Sequence, residues 1–121
     1  MKRKSTKTPN RTRALSIRQP YVEMILRGIK KAEYRNRPTK VRGLIYLYAG
    51  LKPGDEESFH DLKVEPGELP TGLVVGTAEL VDCRPSRKYR GEFEWILRHP
   101  KRLKRPFKPK NEPQPAWFFP K

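Results

Sequence analysis

The chain has 121 residues, of which 34% are charged and 35% hydrophobic, and it carries a formal net charge of +15. That size allows one domain with one modest core and leaves little apolar material to spare. No apolar run is long enough to span a bilayer, and thirteen prolines with eight glycines argue against an all-helical bundle.

Residues 1–13 hold Lys2, Arg3, Lys4, Lys7, Arg11 and Arg13 and no acid. The stretch lacks periodicity, which predicts a basic tail that is disordered when free. It has charge but no apolar core of a secretory leader, so a cytoplasmic protein is the default expectation. Without the tail the body, residues 14–121, still carries 22 basic residues against 13 acids, or +9. The positive field is therefore general, and such a field attracts polyanions.

ALSIR, residues 14–18, alternates apolar and polar side chains and reads as a short strand. Proline suits a first helical position, so Pro20 is expected to open a helix carrying Tyr21, Val22, Met24 and Ile25 on its apolar stripe and ending at Gly28. Residues 30–35 are expected to be extended. LIYLYA after Gly43 is the clearest strand in the chain; Tyr46 and Tyr48 should share one face and Ile45 and Leu47 the other. Residues 55–64 suit a short helix with acids in the first turn. LVVGTAELVDC is a second strong strand with a bulge or bend at Gly76. Phe93–Leu97 fits both periods and is read as a strand, with Trp95 in the core. RLKRPFKPK and AWFF should be extended or edge elements, because proline bars central pairing. The sum is an α+β fold: short strands in mixed order, one or two helices, compatible with a small, partly open β-barrel.

GIKKAEYRNRPTKVRG, residues 28–43, gathers six cations around one acid, Glu33. In a flat strand Glu33 and Arg35 point to one face and Lys30 to the other; a turn near Gly28 would bring Lys30 round. If the three converge, Arg35 can grip a phosphate or hold Glu33. Lys30 can supply a charge or a proton. Glu33 can accept from a base's exocyclic amine or deprotonate a hydroxyl. Its plain structural role would be an ion pair with Arg35. Arg18 and Gln19 sit at the helix start, where free N–H groups favour anions, and Arg42 is a further phosphate candidate. His60 and His99 lie far apart and Cys83, the only cysteine, has no partner at ligand spacing, so neither a metal nor a disulfide is expected. Cys83 reads as a small apolar side chain. No P-loop or dinucleotide motif is present and no cofactor is implied.

These residues resemble the ASCH domain, a family with a PUA-like β-barrel. LSIRQPYVEMILRG resembles its opening strand and helix; Gly28, Lys30, Glu33 and Arg35 match its G-x-K-x-x-E-x-R signature; RGLIYLYAG, LVVGTAELVDC and FEWILRHPKRLKRPF resemble the later strands. The likeness runs from about residue 14 to 119. It implies RNA-related work. Some members are assigned ribonuclease activity and some small ones amide hydrolysis on acylated cytidine; in the latter the position matching Glu33 is a threonine. Three expectations follow: a module binding RNA or a nucleotide, with DNA also admitted, through Arg18, Gln19, Lys30, Glu33, Arg35 and Arg42; a hydrolase with Lys30 and Glu33 as acid and base; or a domain for an acidic protein partner.

Overall fold

A computed structural model describes residues 12–121. The predicted disorder of the tail concerns, for residues 1–11, positions outside the described residues. Arg13 belongs to the fold: its carbonyl accepts from Tyr46 N at 2.8 Å.

The chain runs β1 (Ala14–Ile17), α1 (Tyr21–Leu26), β2 (Ala32–Arg35), β3 (Gly43–Ala49), α2 (Glu56–Leu62), a single 3-10 turn, β4 (Leu73–Pro85), β5 (Phe93–Phe107) and β6 (Trp117–Phe118). The six strands form one sheet in the order β2-β5-β4-β3-β1-β6. β1 lies parallel to β3; the other neighbours are antiparallel. The fold is therefore mixed α+β, as expected. The sheet is not closed into a barrel, because its edges β2 and β6 offer only four and two residues and are not neighbours in the strand order. Side chains approach across the gap instead. Arg35 Nη2 donates to Ser16 O at 2.8 Å, and Trp95 of β5 stacks on Trp117 of β6 with ring centroids 5.7 Å apart.

The alternation within β3 sorts its residues as the sequence predicts. Ile45 and Leu47 join the main core with Val22, Ile25, Leu80 and Trp95. Tyr48, with Tyr46 packed beside it, joins a second cluster around Ala14, Val74 and Phe118. Trp95 is fully buried, and Cys83 is partly buried against the main core. α2 starts where its acids imply: the Asp55 carboxylate accepts from Ser58 N at 2.8 Å and satisfies one unpaired N–H of the first turn.

Residues 93–97 and the basic, proline-containing stretch after them form one continuous strand beside β4, extended as expected. Both prolines fall where the ladder is irregular. His99 and Pro100 lie opposite the single residue Ala78, and residues 103–106 opposite Val75 alone. There a missing N–H removes no ladder bond. β2 covers only Phe93–Ile96, so the proline-bearing half has no paired neighbour on that side.

α1 is clamped to the sheet by charge as well as by its apolar stripe. The buried Glu23 carboxylate takes two hydrogen bonds from Arg102 of β5, at 2.9 and 3.0 Å, and one from Arg27 at 2.8 Å. Burial acts to raise this carboxyl's pKa, but the hydrogen bonds and charges of Arg102 and Arg27 outweigh it and hold the group below its ordinary value. A carboxyl lowered on folding stabilises the fold above its unfolded pKa, about 4.3, and that contribution disappears as pH falls through the folded value. Acid titration of the unfolding midpoint is accordingly expected to be shallower below about pH 4.3 in Glu23→Gln than in the native chain.

Gly76 lies beside the predicted irregularity, where β4 slips register between Val74 and Gly76. A Cβ there would lie 2.6 Å from Leu26 Cδ2 and 2.7 Å from the Lys101 carbonyl. The carbonyl cannot yield without disturbing the ladder. Gly76→Ala should therefore lower stability by about 1–3 kcal/mol in a denaturant melt. Gly67→Ala, with open space around it, should show no comparable loss.

Candidate functional site

The turn at the end of α1 decides where Lys30 goes. Gly28 adopts φ +79, which costs glycine nothing. The N–H groups of Ile29 and Lys30 both donate to the Met24 carbonyl, at 2.9 and 3.1 Å. The chain is thereby folded back before β2 begins. Lys30 Nζ reaches to 3.8 Å from Glu33 Oε1. Glu33 and Arg35 share a face of β2, and Arg35 Nε and Nη2 both stand 2.8 Å from Glu33 Oε2. Lys30, Glu33 and Arg35 therefore converge.

One oxygen of Glu33 is held by Arg35 and the other is contacted loosely by Lys30. The carboxylate is buried, opposite Trp95 in the strand register. Rings surround the cations. Lys30 Nζ lies 4.8 Å from the Tyr34 ring centre and 5.8 Å from that of Tyr21, and the Arg35 guanidinium lies 5.7 Å from that of Trp95. Burial pushes the Lys30 ammonium below its ordinary value; Lys88 and Arg35 add to this, while Glu33 opposes it.

Three hollows adjoin the cluster. The first, about 300 Å³, is lined by Tyr21, Lys30, Lys31, Tyr34, Lys88 and Tyr89 among others. The second, about 320 Å³, lies on the other side of Lys30 and Lys31 and reaches Arg98 and His99. The third, about 270 Å³, sits between the sheet edges and is lined by Arg35, Asn36, Arg37, Trp95, Pro115 and Ala116. Lys31, Tyr34, Lys88, Tyr89 and Arg98 were not singled out from the sequence. Strand alternation puts Tyr34 on the face of β2 opposite Glu33 and Arg35, and it meets the cluster through Lys30; Lys88, Tyr89 and Arg98 are remote in the chain and carry no local signal.

The other predicted residues are placed differently. Gln19 is buried, not open to a ligand. Its Oε1 accepts from Glu23 N and its Nε2 donates to Pro70 O, each at 3.0 Å. Two of the N–H groups at the start of α1 are also taken: Val22 N donates to Arg18 O and Glu23 N to Gln19 Oε1. Arg18 is exposed and lines none of the three hollows. Arg42 is exposed and turns back on its own loop, donating to the carbonyls of Thr39 and Val41. Among the described residues no group of three or more His, Cys, Asp or Glu is placed to hold a metal.

The sequence pattern of the ASCH domain matches residues 15–109, a span that contains the whole cluster. The chain belongs to the ASCH domain family. It is also similar to Activating signal cointegrator 1 of Homo sapiens, 27% identical over 90 residues, and of Mus musculus, 31% identical over 90 residues. Each alignment covers 65% of this chain and 16% of the relative, so the ASCH chain spans only a small part of the length of these proteins.

Because Glu33 supports the Lys30 charge, Glu33→Gln should move the Lys30 titration still lower. Following the lysine side-chain resonances through alkaline pH by NMR checks this; an upward or absent movement would mean that the pair is not coupled.

Proposed function

We propose that this ASCH chain is an RNA-binding module that holds an unpaired nucleotide against the Lys30–Glu33–Arg35 cluster. The observation that carries this is the buried Glu33 carboxylate, fixed by Arg35 on one oxygen and left lightly engaged on the other. That oxygen can accept from an exocyclic amine such as that of cytosine. Lys30, Lys31 and Lys88 supply phosphate attraction, and the faces of Tyr34 and Tyr89 supply stacking worth roughly 1–3 kcal/mol per base. Family membership supports an RNA-related role. We read the curled sheet as a PUA-like, partly open barrel, residues 14–121 as its domain, and the basic residues 1–13 as an added source of unselective attraction in a cytoplasmic protein. No helix among the described residues is long and apolar enough to cross a membrane.

A second reading, hydrolysis of RNA or of a modified nucleoside, draws on one observation: a lysine whose ammonium is weakened by burial stands beside a carboxylate, the pairing an acid–base mechanism uses. On that reading Glu33→Gln abolishes turnover and largely spares binding.

Fluorescence anisotropy with short labelled RNA and DNA strands tests the binding reading. Affinity should fall as salt rises, with a logarithmic slope of about −0.7 for each phosphate neutralised. Lys30→Ala should weaken all sequences alike. Glu33→Gln should reduce preference for amine-bearing bases by about tenfold, or about 1.4 kcal/mol. Salt-independent affinity would overturn the reading, and product analysis of the same mixtures decides the hydrolytic one.

A further inference from the structure

The two hollows on either side of Lys30 and Lys31 have these two residues in common. Resting on the nucleotide reading above, we propose that they are successive chambers of one track for single-stranded nucleic acid. One nucleotide lies in each, and the phosphate that joins them lies over Lys30 and Lys31.

Size argues for this first. At about 300 and 320 Å³ each hollow is at the lower end of the range for small ligands. That suits one nucleotide in each. A base inside a duplex has its faces covered by neighbours and its edge engaged by its partner, so it cannot enter either chamber; an unpaired one can.

The chemistry of the walls agrees. The first chamber has ring walls, with Tyr34 and Tyr89 edge to face at 5.0 Å and Lys88 5.3 Å from the Tyr89 ring centre. The second has apolar walls from Ile25, Leu97 and Pro100, with Arg98 at its rim. Glu33 lines neither chamber; it stands 3.8 Å from the shared Lys30 Nζ, so a base meets its carboxylate only where Lys30 swings aside onto the joining phosphate. Each chamber has a cation of its own, Lys88 or Arg98, beside the two lysines they share. The backbone supports the spacing: Leu97 N donates to Lys31 O at 2.9 Å, which ties the shared wall to the strand bearing Arg98.

A length series decides it. Cytidine monophosphate, the cytidine dinucleotide, the tetranucleotide and a twelve-pair RNA duplex are titrated at one fixed salt concentration. The dinucleotide should bind at least tenfold more tightly than the mononucleotide, and the duplex should compete poorly with the tetranucleotide. Arg98→Ala should bring the dinucleotide down to the affinity of the mononucleotide. Arg105→Ala removes the same charge from an exposed β5 position outside both chambers and should leave the step intact. If the mononucleotide binds and the dinucleotide gains nothing, or both arginine variants weaken it equally, the track is wrong and the single-nucleotide reading survives. If no strand or nucleotide binds, that reading falls and the track falls with it.

Discussion

The Arg35 guanidinium is the contact on which the site depends. It is planar and presents its donors in a rigid fork. One side of the fork closes on a single oxygen of Glu33, and Nη2 also reaches the Ser16 carbonyl of β1. The same group therefore fixes the carboxylate and pulls the β2 edge toward β1 across the open side of the sheet. A lysine in its place would supply the charge without the fork, and one of the two tasks would be lost. The cation also explains how an acid can be buried here, since an unpaired carboxylate in the same place would be strongly penalised.

Lys30 depends on a second set of constraints further back in the chain. α1 has only six residues, too few to be stable alone. Gln19 ties its start to the loop at Pro70 and caps Glu23 N, and Glu23 ties its body to Arg102 of β5. With both held, the Met24 carbonyl is fixed, and the Gly28 turn hangs from it. Lys30 thus reaches Glu33 because a helix too short to stand by itself is fastened to the fold at two points. The residue read as a ligand contact, Gln19, serves the site from inside the protein.

Local spacing made much of this legible. The period of two in β3 separated its tyrosines from Ile45 and Leu47, and the glycine after an apolar helical stripe marked the turn that redirects Lys30. Glu33 and Arg35 are two apart, so their shared face followed from strand geometry. Contacts set by topology were not legible. Lys88, Tyr89 and Arg98 arrive at the cluster on the β4–β5 hairpin, and nothing near them in sequence says that β5 will lie beside β2. The prolines of β5 marked an extended segment with no central pairing, but nothing local showed the irregular register at residues 99–100 and 103–106 that lets one strand continue past them. The inward turn of Gln19 is a case where a polar residue at a helix start caps the helix from within, a role that residue type alone does not distinguish from ligand binding.

The open seam is then a requirement of the site and not an unfinished barrel. A closed ladder between β2 and its neighbour across the gap would engage the β2 backbone along its outer edge and bring another strand to about 4.8 Å. The hollow lined by Arg35, Asn36, Arg37 and Trp95 would be filled by that strand. Trp95 would lose the space beside it, although its indole N–H already has a partner in the Arg37 carbonyl, at 3.1 Å. Stacking of Trp95 on Trp117 and the reach of Arg35 to Ser16 hold the two sides near each other without a continuous ladder. Side chains can hold a gap at fixed width and still present charge and ring faces within it, which paired backbone cannot do. Two short edge strands, β2 tied to β1 by one arginine and β6 to β5 by one tryptophan pair, therefore combine a stable sheet with a concave, cationic surface beside a single acid.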